Sequence, residues 1–107
     1  MPPTIDRTTL PAFHDTSGAR IRKTARYVGP VSYTGPGGDP FTPADLGMTR
    51  IDVLLFTFAW DGANAHRSLV WDRVNQKVVW FVTSTDQEVA NAVDLSGFTA
   101  TFEAIGI

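Results

Sequence analysis

The chain has 107 residues, a net charge of −2, 43% apolar side chains and no cysteine. That length suits one domain with a modest core, and the charge balance favours neither nucleic acid nor an anionic membrane as a partner. The absence of cysteine excludes disulfides, thiolate nucleophiles and zinc–thiolate sites, and no apolar run approaches the ~20 residues that cross a bilayer.

Residues 1–20 read as an extended N-terminal arm, ahead of a β domain over 21–107. Pro2, Pro3 and Pro11 exclude regular helix and disfavour a strand, while Ile5, Leu10 and Phe13 are apolar and widely spaced. Such an arm is either a disordered leader or a strap that docks these three residues on a neighbouring molecule. It has neither the basic start nor the apolar stretch of a signal peptide, so synthesis in a cytosol is expected.

From Ala19 onward the patterns are those of strands. In 19–33, Ile21, Ala25 and Tyr27 alternate with Arg20, Arg22, Thr24 and Arg26. Gly29-Pro30 interrupts the run, which predicts an edge strand or a bend. The arginines form a positive stripe, either a charge-protected edge or a contact for an acidic protein surface or a nucleic-acid backbone, the last disfavoured because the chain is acidic overall and its aromatics are not interleaved with the stripe.

Residues 34–47 (TGPGGDPFTPADLG) raise the question of a phosphate cradle. The stretch lacks the lysine of a phosphate-binding loop, and Asp39 would repel an anion. A structural corner explains it better. Gly35, Gly37 and Gly38 permit positive φ, and Pro36 and Pro40 stiffen the chain. Thr42 then caps one helical turn, Asp45 sits at its third position, and Gly47 provides a left-handed exit.

Further strands are predicted over 48–60, 66–73, 78–83 and 98–105, with a turn at 74–77 making a hairpin of the middle pair. The last strand alternates cleanly, Phe98, Ala100, Phe102 and Ala104 against Thr99, Thr101 and Glu103. Short strands between turn signals predict an all-β fold, a small antiparallel sandwich or barrel with one short helical turn. Two strands carry apolar residues on both faces. Ile51, Val53 and Leu55 oppose Leu54, Phe56, Phe58 and Trp60, while Val78, Trp80 and Val82 oppose Val79 and Phe81. One wet face should be polar, so another subunit or the arm is expected to cover the set Phe56, Phe58, Trp60 and Trp80.

Catalytic chemistry finds little support. Asp61 and Asp72 could pair as carboxylates, but Asp61-Gly62-Ala63-Asn64 is more simply a turn. His66, Ser68 and Asp72 have the composition of a hydrolase triad without a nucleophile elbow or an oxyanion hole. His14 and His66 lack the spacing of metal ligands. No catalytic, cofactor or metal residue is assigned.

Three segments together resemble a family of small structural proteins of tailed bacteriophages. They are SYTGPGGDPFTPADLGMTRIDVL (32–54), LVWDRVNQKVVWF (69–81) and EVANAVDLSGFTATFEAIG (88–106). Ala92 and Val93 stand where family members often carry Gly-Thr, and the arm is longer than usual. The resemblance implies a non-enzymatic virion protein without a cofactor, a decoration or cement protein that binds the major capsid protein on the capsid surface. A symmetric homo-oligomer is expected, a trimer among the candidates, with no direct contact to nucleic acid or membrane. Its candidate contacts are Ile5, Leu10 and Phe13, the stripe Arg20, Arg22 and Arg26, and the apolar set Phe56, Phe58, Trp60 and Trp80. The competing expectation is a carbohydrate-binding module or a tail-associated host-contact protein, with Trp60, Trp71 or Trp80 stacking on sugars and Asp61 or Asn64 bonding hydroxyls.

Overall fold

The computed structural model describes the backbone of residues 4–6 and 13–17, and residues 20–63 and 65–107 with their side chains. Ten strands are described: β1 Thr4–Asp6, β2 Phe13–Ser17, β3 Arg20–Val28, β4 Asp39–Pro40, β5 Ile51–Phe56, β6 Ala59–Trp60, β7 His66–Asp72, β8 Lys77–Val82, β9 Gln87–Glu88 and β10 Thr99–Gly106. One 3-10 turn, Pro43–Leu46, lies between β4 and β5. The predicted all-β class is therefore observed, as one antiparallel sheet whose main path runs β1-β3-β10-β6-β7-β8-β4.

The sheet curls on itself. Tyr27 on β3 and Trp80 on β8 are four strands apart along that path, yet their rings lie 6.1 Å apart. Phe41 joins them from the corner loop, 5.6 Å from Tyr27 and 5.5 Å from Phe102. These offset and edge-on contacts are the arrangement that aromatic quadrupoles favour. The seam is closed by backbone bonds between 29–33 and 92–98, such as Gly29 N–H to the Phe98 carbonyl at 2.9 Å and Leu95 N–H to the Pro30 carbonyl at 2.8 Å. There is no room for a side chain at Gly29, since a Cβ there would fall 2.0 Å from the Leu95 carbonyl oxygen.

The alternation predicted for β3 and β10 appears in the packing, whereas β8, expected to be apolar on both faces, turns Val78 and Trp80 inward. Ala25, Tyr27, Val78, Trp80, Ala100, Phe102 and Ala104 are buried, and their strand neighbours face outward. β5 departs from the expected faces. Gly106 pairs with Ile51 whereas Ile105 pairs with Val53, which leaves Asp52 as the extra residue of a bulge. The bulge brings Ile51 into phase with Leu54 and Phe56 on the inner face and turns Val53 and Leu55 outward. A second break at Thr57–Phe58 resets the phase again, so Ala59 is buried and Phe58 and Trp60 are exposed.

Two assigned contact residues are corrected by this packing. Trp80 has no exposed surface and sits at the centre of the core. Phe56 is half-buried, with ring centroids 5.5 Å from Tyr27 and 6.0 Å from Phe102. Both point inward because the curl places their side of the strands inside.

β3 is an interior strand and not an edge. It pairs with β10 on one side and with β1 and β2 on the other, through Ile5↔Tyr27 and Phe13↔Thr24 among others. Parts of the arm thus extend the sheet at β3, despite the prolines. Ile5 and Phe13 are placed on those strands, and Leu10 lies outside the described residues.

Candidate functional site

The corner at 34–47 resolves as architecture. The Thr42 N–H and hydroxyl both donate to Asp45 Oδ2, at 2.7 and 3.1 Å. Gly47 closes the turn with φ 68°, in the left-handed region that glycine tolerates best. The glycine loop is pinned from inside: Glu88 Oε2 accepts the Tyr33 hydroxyl at 2.7 Å and the Gly37 N–H at 2.9 Å. The Trp80 N–H in turn donates to the Tyr33 hydroxyl at 3.2 Å. Gly38 packs on β8, and Gly35 N–H donates to Asn91 Oδ1 at 3.1 Å. Asp39 is buried, with neither carboxylate oxygen hydrogen-bonded; its charge adds to the burial that pushes the Tyr27 phenol well above its ordinary pKa. The N–H groups of Gly35, Gly37 and Thr42 are each taken by a side chain of the protein itself.

The residues considered for catalysis are kept apart. Asp61 and Asp72 sit at opposite ends of β7 and each closes a turn. Asp61 Oδ1 accepts the Ala63 N–H at 2.8 Å, and Asp72 Oδ1 accepts the Val74 and Asn75 N–H groups at 3.0 and 3.1 Å. The Ala63 bond is the main cause that holds Asp61 below the usual range, while Asp72 is held low first by the Asn75 side-chain amide, which donates to its Oδ2 at 2.8 Å, and then by the turn bonds. His66 stacks on Trp60. Among the described residues no three His, Asp or Glu side chains group as metal ligands, and no helix is long and apolar enough to cross a membrane.

The outer face of the sheet is where apolar surface collects. Residues paired across strands share a face, so Glu103 and Leu55, Ile105 and Val53, Ser68 and Phe81, and Val70 and Val79 all lie on it. Leu55 is 61% exposed, Phe58 66%, Val70 54% and Trp60 49%. The exposed set expected from alternation was Phe56, Phe58, Trp60 and Trp80; the observed one keeps Phe58 and Trp60 and gains Val53, Leu55 and Val70. Val53 and Leu55 were missed because the Asp52 bulge shifts the phase of β5, whereas Val70 lies on β7, whose pairing with β8 is regular, and faces outward because the sheet curls with its other side inward.

Hollows surround the Thr57–Phe58 break. One of about 310 Å³ lies between Phe56, Phe58 and Ser68, and one of about 290 Å³ between Leu55, Thr101 and Glu103. A third, of about 440 Å³, opens beyond Phe58 toward Trp60 and Arg26. Thr57 borders all three, and its hydroxyl accepts the Thr101 N–H at 3.0 Å.

The arginine stripe lies on β3 beside β10, with Arg22 paired to Ile105 and Arg26 to Thr101. Arg20 lies 3.8 Å from Asp52 and Arg22 lies 3.9 Å from Glu103, so both are partly neutralised within the chain. Asp52 also meets Arg50 at 2.7 Å, and that bond holds its carboxyl below the usual range. Of the three tryptophans, Trp80 is buried and Trp71 is half-buried with its indole N–H donated to the Phe41 carbonyl at 3.0 Å. Only Trp60 among them presents an exposed ring.

The chain matches no protein-family model, and no curated protein and no solved structure is significantly similar to it.

Proposed function

We propose that this protein is a non-enzymatic virion structural protein, a decoration or cement subunit that binds the major capsid protein of a tailed bacteriophage and self-associates on the capsid surface. The observation that carries the reading is the outer sheet face, apolar around Leu55, Phe58 and Val70 on strands whose inner side already forms the core. Such a patch resembles the apolar centre of a protein interface more than the surface of a monomer. Burying each of these side chains contributes about 1.5–3 kcal/mol before the costs of association are subtracted. The order of the three phage-like segments supports the choice of a capsid lattice as partner. The inward-facing corner and the separated carboxylates favour assembly over catalysis.

Purified particles imaged with and without this protein provide the test, alongside light scattering of the isolated chain. Extra mass on the head and a homo-oligomer in solution are expected. A single-chain mass at every concentration, together with virions that never retain the protein, would overturn the assignment.

A further inference from the structure

β5 is paired along one side only. Its partner there is β10, and among the described strands none pairs with its other side. The chain continues past the Thr57–Phe58 break into β6, which pairs with β7 through Ala59↔Arg67 and Trp60↔His66. β5 itself does not pair with β7, so the two strands part at the break. The hollow of about 310 Å³ lies in this fork, with Phe56 and Thr57 on one arm and Ser68 and Leu69 on the other.

The ladder fixes where the β5 backbone groups point. Thr57 N–H donates to the Thr101 carbonyl at 2.8 Å, and Arg50 and Ile107 exchange both bonds at 3.0 Å. Residues bonded to a partner strand alternate with residues whose backbone groups face away from it. Val53 and Leu55, opposite Ile105 and Glu103, therefore bond to β10, and the N–H and C=O of Leu54 and Phe56 face the fork. An edge of this kind is a template for another strand. The short strands β4 and β9 have two residues each, one with Pro40 and the other with Glu88, which are devices that discourage pairing. β5 has six residues and, from Val53 to Phe56, neither charge nor proline.

We propose that β5 is the self-association edge of this protein, pairing antiparallel with β5 of a second copy across a two-fold axis beside Leu54 and Leu55. The inference deepens, and rests on, the self-association part of the assembly reading. Pairing there brings Val53 and Leu55 of one copy against those of the other, and apolar cross-strand pairs stabilise a sheet. Charge favours a second copy over an acidic or basic partner. Asp52 is met within the chain by Arg20 and Arg50, and Glu103 by Arg22. The axis also keeps Asp52 at least ~13 Å from its own copy, at ~3.3 Å per residue, beyond the ~8 Å Debye length. A two-fold contact closes at two copies, so the free oligomer is a dimer and not a trimer. Six residues a side fall short of the ~20–30 of a standard interface, so the dimer dissociates on dilution.

The test uses the full chain, which has no cysteine of its own. Val53→Cys, Leu55→Cys and the double variant are oxidised at high protein concentration. At least one should form an intermolecular disulfide, since opposed residues of paired strands lie within bridging distance. Val74→Cys, 89% exposed between β7 and β8, should not. Leu55→Lys, at a position already exposed in the single chain, should sediment as one chain and keep its far-UV circular dichroism. Amide exchange by NMR needs no variant. As concentration rises, the Leu54 and Phe56 amides should slow about tenfold or more, and those of Val53 and Leu55, already bonded to β10, should change less. An oligomer whose Leu54 and Phe56 amides exchange as fast as in the monomer, or no disulfide from any of the three variants, would overturn strand pairing and leave the capsid reading standing. A lone chain at every concentration would overturn it too, and protection of those amides only on added particles would assign the edge to another protein. A strand-paired dimer that particles never retain would support this edge and defeat the capsid reading instead.

Discussion

Trp60 and Trp80 stand on strands of one sheet, yet one is half exposed and the other has no contact with solvent. Trp80→Ala is expected to cost about 3–5 kcal/mol of stability, the range for deleting a large core aromatic. Phe58→Ala should change stability by no more than about 0.5 kcal/mol, as for other exposed positions, while weakening assembly; urea unfolding and sedimentation read the two effects separately. The chain's two tyrosines are both buried. Burial is the main cause that raises each phenol, with Asp39 adding for Tyr27 and Glu88 for Tyr33. Each folded pKa lies above the ordinary 10.0, so their contribution to stability is complete below that pH and is lost as the pH rises beyond it. Phenolate absorbance in an alkaline titration should therefore appear together with loss of near-UV circular dichroism. A tyrosine that titrates at the ordinary value in a folded protein would contradict its burial.

At the scale of elements, turns and bulges set which face a residue takes. The corner was legible in Thr42, Pro43, Asp45 and Gly47 because capping depends on residues within one turn of each other. Asp45→Ala should cost about 1 kcal/mol through the lost bond to the Thr42 N–H, measured as a lower urea midpoint. The 66–83 hairpin was equally legible, since Asp72 closes its turn locally. Asp61, Asp72 and Asp94 all accept turn N–H groups and are held below the usual carboxylate range. Depressed folded values mean stabilisation that is present above the ordinary range and lost as the pH falls through the folded values. The melting temperature should drop on acidification, and Asp72→Asn should flatten that dependence. The faces of β5 were not legible, because the Asp52 bulge arises only where Ile51 and Val53 pair with β10. Nor was the interior position of β3, since Gly29-Pro30 signals an ending but says nothing about which strands lie alongside.

At the scale of the molecule, closure depends on backbone surfaces in close contact. A Cβ on Gly106 would fall 1.9 Å from the Arg50 carbonyl oxygen, and one on Gly29 nearly as close to Leu95. Gly29→Ala should thus destabilise by about 2–4 kcal/mol, while Gly97→Ala, with open space around it, should stay within about 0.5 kcal/mol. Thermal melts of the two variants side by side check the contrast. The assembly reading is tested at this scale by Leu55→Glu/Val70→Glu. Both side chains already face solvent in the single chain, so the variant should melt within a few degrees of wild type and yet lose its oligomer and its hold on particles.

The amino-acid sequence alone determined the all-β class, the longer strands from β3 onward with the turns between them, the inner faces of β3 and β10, and the structural character of the glycine corner. Each of these follows from a period of two or from residues only a few positions apart. Only the tertiary structure decided that Trp80 and Phe56 lie inside, that Leu55 and Val70 lie outside with Phe58, and that Trp60, Arg26 and Asp61 border one hollow. Those outcomes depend on how far the sheet curls and where a bulge shifts its register, and both are set by contacts between segments tens of residues apart.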